Sequence, residues 1–230
     1  MNPRPNEGEL VWEFFERRPE GFFVEVGAND PRNGSQTWFL EQRGWRGVLV
    51  EPLSRFYEPL RTARPRSRVL QVACGAPSHP ATADLFVGEN SEHSSLQPNR
   101  VDADTQYVQK ETVRVLTLDE VLAECGNPRV DFVSIDVEGL QLEVLEGFDL
   151  KRHHPALLFV EDHLLNWQTH FHLRRRGYKL VKRTQLNNWY VPEGTPFAMT
   201  TAVERLKLWR KVWPGTPLRR LKARWQRKER

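Results

Sequence analysis

Five short apolar runs recur along the chain, and segments with helical patterning lie between them. The runs are FFVEV (22–26), RGVLVEP (46–52), RVLQVACG (68–75), RVDFVSIDV (129–137) and PALLFVED (155–162). Each is the length of a strand and rich in Val, Leu, Ile and Phe, as strands buried on both faces are. Between them, SQTWFLEQRG (35–44) reads as a helix with Ser35 as N-cap and Gly44 as its stop. FYEPLRTA reads as a short helix broken near Pro59, and LQLEVLEGF (140–148) as another helix. TLDEVLAECG opens on Thr117 with Glu120 three residues on, the spacing of a capping box. Strands alternating with helices predict an α/β fold, a mostly parallel sheet covered on both faces. ELVWEFFERR precedes this pattern as an amphipathic helix. ATADLFVG and ETVRVLTL, with the polar ENSEHSSLQPNR between them, interrupt it as an inserted hairpin or loop at about 76–112. GYKLVKRT and NNWYVP close it as a terminal antiparallel pair.

The length of 230 residues suits one domain with a substantial core, and 39% hydrophobic with 28% charged residues is ordinary for a globular chain. No apolar run approaches the roughly 20 residues of a membrane-spanning helix. The start, MNPRPNEGEL, lacks a basic region followed by an apolar core, so no signal peptide is expected. Cys74 and Cys125 have no metal-like spacing and read as free thiols in a reducing, cytoplasmic setting. The net charge of +4 conceals an asymmetry: residues 201–230 carry eleven Lys and Arg against two Glu. The body before them is mildly acidic, which argues against a nucleic-acid-binding domain.

In parallel sheets, ligands bind beyond the carboxyl ends of the strands. Four of the five runs end in or beside acids: Glu25 and Asp30, Glu51, Asp136 and Glu138, and Glu161 and Asp162. The third ends in Ala73, Cys74 and Gly75. Unpaired carboxylates are costly to bury, so such an edge calls for hydroxyls, amines or a cation. An acid at the end of the second strand, where Glu51 stands, is placed to accept both hydroxyls of a ribose. The first turn has Gly27 and Gly34 but no three-glycine phosphate loop, and Asp30 would repel a pyrophosphate. An adenosine with a cationic, amine-bearing tail fits better, and S-adenosylmethionine is such a molecule. Taken singly, the turn is only a turn, and Asp136 equally suits a helix cap.

FVEVGANDPRNGS, GVLVEP, the SSL of the insertion, VDFVSIDVEGLQLEVLEGF and GYKLVKRTQLNNWYVP occur in the order seen in FkbM-type methyltransferases, and the chain resembles that family over about residues 20–192. The resemblance implies a class I, Rossmann-like fold: a mostly parallel seven-stranded sheet with helices on both faces and a terminal antiparallel strand. A methyltransferase domain is expected over 1–200, and the charge asymmetry and helical spacing set 201–230 apart as a basic amphipathic tail. The resemblance also implies S-adenosylmethionine as donor and O-methylation, often of a sugar hydroxyl in a glycan or glycosylated metabolite. On this resemblance Glu25, Gly27, Ala28 and Asn29 hold the methionine end. Ser35 meets its carboxylate at a helix start. Glu51 takes the ribose, and Cys74 with Ser94 and Ser95 flank adenine.

A sugar hydroxyl is a weak acid and needs a base or a metal. Asp136, with Glu138 two residues on, stands beside Glu161, Asp162 and His163 at adjacent strand ends. Two mechanisms stay open. In one, Asp136 and Glu161 or Asp162 hold Mg²⁺ or Mn²⁺, which lowers the pKa of the acceptor hydroxyl. In the other, His163 is a metal-free base oriented by a carboxylate; His163 equally suits a structural strand-end position. RHHP reads as a loop, and His170 and His172 as surface or substrate-rim residues with no metal role.

In the tail, Leu206, Trp209, Val212 and Trp213 fall at helical spacing among Arg and Lys, and after WPGTP the pattern resumes with Leu218, Leu221 and Trp225. This fits peripheral contact with an anionic membrane; packing of its first half on the body fits as well. A non-catalytic scaffold of a glycan-assembly complex is the alternative to an enzyme. Nothing in the sequence fixes an oligomeric state.

Overall fold

The computed structural model describes residues 6–89, 94–97, 106–162 and 166–212. β1 (Phe22–Val26) lies between β2 (Arg46–Val50) and β7 (Phe132–Ile135), parallel to both. β2 pairs in parallel with β3 (Ser67–Leu70), and β7 with β8 (Leu157–Glu161). β10 (Asn187–Pro192) inserts between β8 and β9 (Tyr178–Thr184) and runs antiparallel to both. Among the described residues these seven strands form one sheet, ordered β3-β2-β1-β7-β8-β10-β9, in which β10 alone runs against the rest. The expected α/β architecture with a terminal antiparallel strand is therefore present.

Alternation along β1 divides the core. Val24 and Val26 join the apolar layer under α4 (Leu118–Glu124) and α5 (Gln141–Glu146), with Leu118, Val121, Val144 and Leu145. Phe23 faces the other layer, where Val11 of α1 (Glu7–Phe14), Leu40 of α2 (Trp38–Glu41) and Leu60 of α3 (Ser54–Ala63) cover the sheet. The capping box expected at Thr117 opens α4, Thr117 and Glu120 each accepting the other's backbone N–H.

Five local expectations are revised. The run 68–75 is not one strand. β2 ends at Val50, so beyond Leu70 this edge offers no partner, and Ala73–Cys74 (β4) pairs instead with Val115 and Leu116. β4 belongs to a second sheet with β6 (Tyr107–Leu116) and β5 (Thr82–Gly88), the hairpin of the insertion. α2 is a single turn rather than a helix over 35–44, and Thr37 is its N-cap; the Ser35 hydroxyl accepts from Thr37 N and Trp38 N. α3 continues through Pro59, with Leu60 buried beyond it. His170 and His172 are not rim residues. Both lie on the inner side of α7 (Trp167–Arg175), His170 Nδ1 3.1 Å from the Tyr190 hydroxyl and His172 Nε2 3.3 Å from Leu145 O. Burial pushes both imidazoles down, His172 to about 4, so they are neutral at pH 7. RHHP also contains a helical turn, α6 (Leu150–His153), opened by the Asp149 carboxylate.

A buried arginine ties the sheet to the layer above it. Arg64, fully buried at the end of α3, donates to Glu41 at 2.5 Å, Thr37 Oγ1 at 2.7 Å, Ser35 Oγ at 3.1 Å and Pro31 O at 3.3 Å. Its guanidinium also lies 3.7 Å from the Glu25 carboxylate on β1. Breaking a buried pair from one side strands a charge. Arg64→Leu is expected to cost about 3–5 kcal/mol in urea unfolding; a loss below about 1 kcal/mol, the range of exposed pairs, would refute this role.

Candidate active site

A cavity of about 430 Å³ opens at the carboxyl ends of β1, β2, β7 and β8, within the size range of small-molecule sites. Its floor is set by a close backbone approach. Gly27 and Ala28 donate to Val50 O, and Gly27 takes φ +84°. A Cβ on Gly27 would stand 1.8 Å from Asp136 O, so only glycine lets the turn lie against the end of β7. Asn29 follows at φ +46°.

That turn aims Glu51. Its Oε2 accepts from Asn29 N and its Oε1 from Leu53 N, both at 2.8 Å. Two backbone donors hold the carboxylate while other lone pairs remain for a ligand. Burial still pushes its pKa up to about 7.

Asp136 donates its backbone N–H to Val26 O and carries its carboxyl into the cavity. There its side chain meets that of Glu161 within hydrogen-bond reach. Desolvation, then that hydrogen bond and the negative charges of Glu161, Glu138 and Glu25, raise the Asp136 pKa well above its ordinary value. Glu138 lines the cavity too, and its carbonyl accepts from Ser95 Oγ at 3.0 Å. Ser95 also exchanges backbone hydrogen bonds with Phe86, so the insertion is fastened over the site. Cys74 lies in the wall with its thiol pushed up to about 12 by burial, an inert apolar surface.

Two expected donor-binding side chains are already engaged. The Glu25 carboxylate accepts from Ser35 Oγ at 3.0 Å, Gln36 N at 2.7 Å and Thr37 Oγ1 at 2.6 Å. The Ser35 hydroxyl is held by Glu25, Arg64 and the start of α2. Both brace the turn from behind.

The expected metal set comes together only in part. Asp136 and Glu161 meet at the cavity floor. The Asp162 carboxylate accepts from Asn166 N at the entry to α7. Among the described residues no group of three or more His, Cys, Asp or Glu side chains is arranged to hold a metal ion. These donors fit a divalent cation poorly. His163 lies outside the described residues.

Sequence reasoning missed the far wall. Glu7 of α1 lines the cavity and accepts from Thr184 Oγ1 and, at 2.9 Å, from Asn187 Nδ2. Gln36 and Asn187 line it beside Glu7. Contacts spanning 177 and 180 residues leave no local pattern in a single sequence.

A glycine turn flush against a parallel sheet and an acid aimed from the end of β2 define a nucleoside-binding α/β enzyme. A family model described as the methyltransferase FkbM domain matches residues 25–180, and the chain belongs to that family, the S-adenosylmethionine-dependent FkbM methyltransferases. The sheet is that of a class I methyltransferase. No curated protein sequence matches the chain. Among solved structures it is similar to a methyltransferase from Geobacter sulfurreducens, at 14% identity and TM-score 0.42, covering 82% of this chain and 79% of that one. It is also similar to a TehB-like SAM-dependent methyltransferase from Corynebacterium glutamicum, at 11% identity and TM-score 0.39, covering 83% and 87%. Likenesses this loose carry no argument about the site.

The residues present fit a ribose at Glu51. Between pH 4.5 and about 7 the folded protein holds a proton on Glu51 that the unfolded chain has released, so this group lowers stability as pH rises through that window. Thermal melts at pH 5.5 and 7.5 are expected to show Glu51→Gln gaining on the native protein at the higher pH. Calorimetry is expected to show S-adenosylmethionine binding that strengthens from pH 6 to 8 and falls roughly tenfold or more in Glu51→Ala, the loss of charged hydrogen bonds. Unchanged affinity in Glu51→Ala would overturn the assignment.

Proposed function

We propose that the protein is an O-methyltransferase acting on a sugar hydroxyl of a glycan or glycosylated metabolite. The observation that carries this reading is the Asp136–Glu161 pair at the cavity floor, opposite the aimed carboxylate of Glu51. When bound, S-adenosylmethionine supplies a methyl on a sulfonium, already a good leaving group, for in-line transfer to an oxygen. Glu51 accepts the ribose hydroxyls. The backbone of Gly27, Ala28 and Asn29 meets the methionine end, with Glu25 and Ser35 holding that turn rigid. Cys74 and Ser95 wall the adenine side. Asp136, raised above its ordinary pKa by burial and by the neighbouring Glu161, accepts the proton of the acceptor hydroxyl in its ionised form, and Glu161 orients it through their hydrogen bond. Glu138 adds negative charge that keeps Asp136 basic.

The lining supports an uncharged, hydroxyl-rich acceptor. Glu7, Glu25, Glu51, Asp136, Glu138 and Glu161 line the cavity, and among the described residues no Lys or Arg does. Phosphorylated or uronic acceptors would meet like charge there, whereas hydroxyls donate to carboxylates.

Transfer of labelled methyl from S-adenosylmethionine to neutral glycosides is expected, with acidic ones poorer. Activity is expected to survive exhaustive EDTA. Asp136→Asn is expected to lower kcat by about 10²–10⁴ with donor binding retained. Complete loss after EDTA, restored by Mg²⁺, would reinstate the metal route; a full rate in Asp136→Asn would remove the base.

A further inference from the structure

The helix α8 (Ala202–Val212) lies against β9 by one side only. Its start is anchored: Thr200 Oγ1 donates to Val181 O at 3.1 Å, and Lys182 reaches Met199 O at 2.8 Å and Glu204 at 3.6 Å. Thr201 and Glu204 cap it reciprocally. Leu208 turns to the groove beside β9. Away from β9 the helix exposes Val203 and Leu206 by 61% and 66%, and Trp209, at the rim of that groove, by 58%. Spaced three apart, they form one apolar row, and Lys207 and Arg210 stand next to it on the helix surface.

We propose that this row docks the protein on the surface of an anionic lipid bilayer, with α8 lying in the interfacial plane. Three observations choose lipid over a second copy or a protein groove. The row is narrow and ends in a Trp, the side chain that suits the headgroup boundary. Basic residues flank it, where anionic headgroups would meet them. The sequence beyond Val212 continues the same chemistry, with seven Lys and Arg against one Glu and with Leu218, Leu221 and Trp225 among them. The body ahead of α8 is acidic, so an anionic surface attracts this end and repels the rest, which fixes the orientation of docking. Among the described residues no helix is long and apolar enough to cross a membrane, so the contact is peripheral. The inference is independent of which acceptor the cavity takes.

Co-sedimentation of the full chain with phosphatidylcholine vesicles, with and without about a third phosphatidylglycerol, tests it. Binding is expected with the anionic vesicles only, falling as salt rises. L206E/W209E is expected to lower it roughly tenfold or more through loss of apolar insertion, and K207Q/R210Q by a similar factor through lost charge. Circular dichroism melts that match the native protein show that each variant folds. Equal recovery on both vesicle types would overturn the proposal, as would full binding by L206E/W209E. So would self-association without lipid that the same substitutions abolish, since the row would then be a subunit interface.

Discussion

The buried Arg64 guanidinium is the contact on which the upper half of the molecule depends. It joins the end of α3 to Glu41 on α2 and Glu25 on β1, and it reaches Ser35, Thr37 and Pro31 in the loop between them. Neither carboxylate would be tolerated at these positions alone, because a lone ion in an apolar layer is far costlier than a paired one. Glu41 is further held by Arg66 N and the Ser67 hydroxyl, so the network also pins the start of β3. With Glu25 satisfied from behind, the glycine turn above it becomes a rigid shelf. Preorganisation of that kind keeps a ligand-facing backbone in place before any ligand arrives.

The cavity's electrostatics follow from what surrounds each acid. Glu25 meets a cation and several donors. Glu51 meets two backbone N–H groups and stays poised near neutrality. Asp136 and Glu161 meet chiefly each other. Four strand ends thus present carboxyl groups in three settings, made by their partners rather than by residue type.

What the sequence made legible was whatever rests on local pattern. The β1, β2, β7 and β8 runs announce themselves through unbroken apolar stretches, and α4 through its reciprocal cap. Glu51 and Asp136 were legible as cavity-lining acids because ligand clefts in parallel sheets lie beyond the carboxyl ends of the strands. The run 68–75 was misread because periodicity reports that a segment is extended but not which neighbour it pairs with. Arg64 gave no warning, since an arginine in a polar stretch ordinarily faces water. The histidines of α7 were misplaced for the same reason: their burial comes from Tyr190 and Leu145, which only the assembled fold brings near. Glu7 and Asn187 belong to this class, a wall joined across nearly the whole chain.

That last wall bears on how the molecule comes into being. β8 keeps one unpaired edge until Asn187–Pro192 has been made, because β10 and not β9 is its neighbour. α1, first off the ribosome among the described elements, finds Thr184 and Asn187 only when most of the polypeptide has emerged. Such distant pairings are slow to close. A nascent chain therefore cannot complete this wall of the acid-lined chamber until Thr184 and Asn187 have been made.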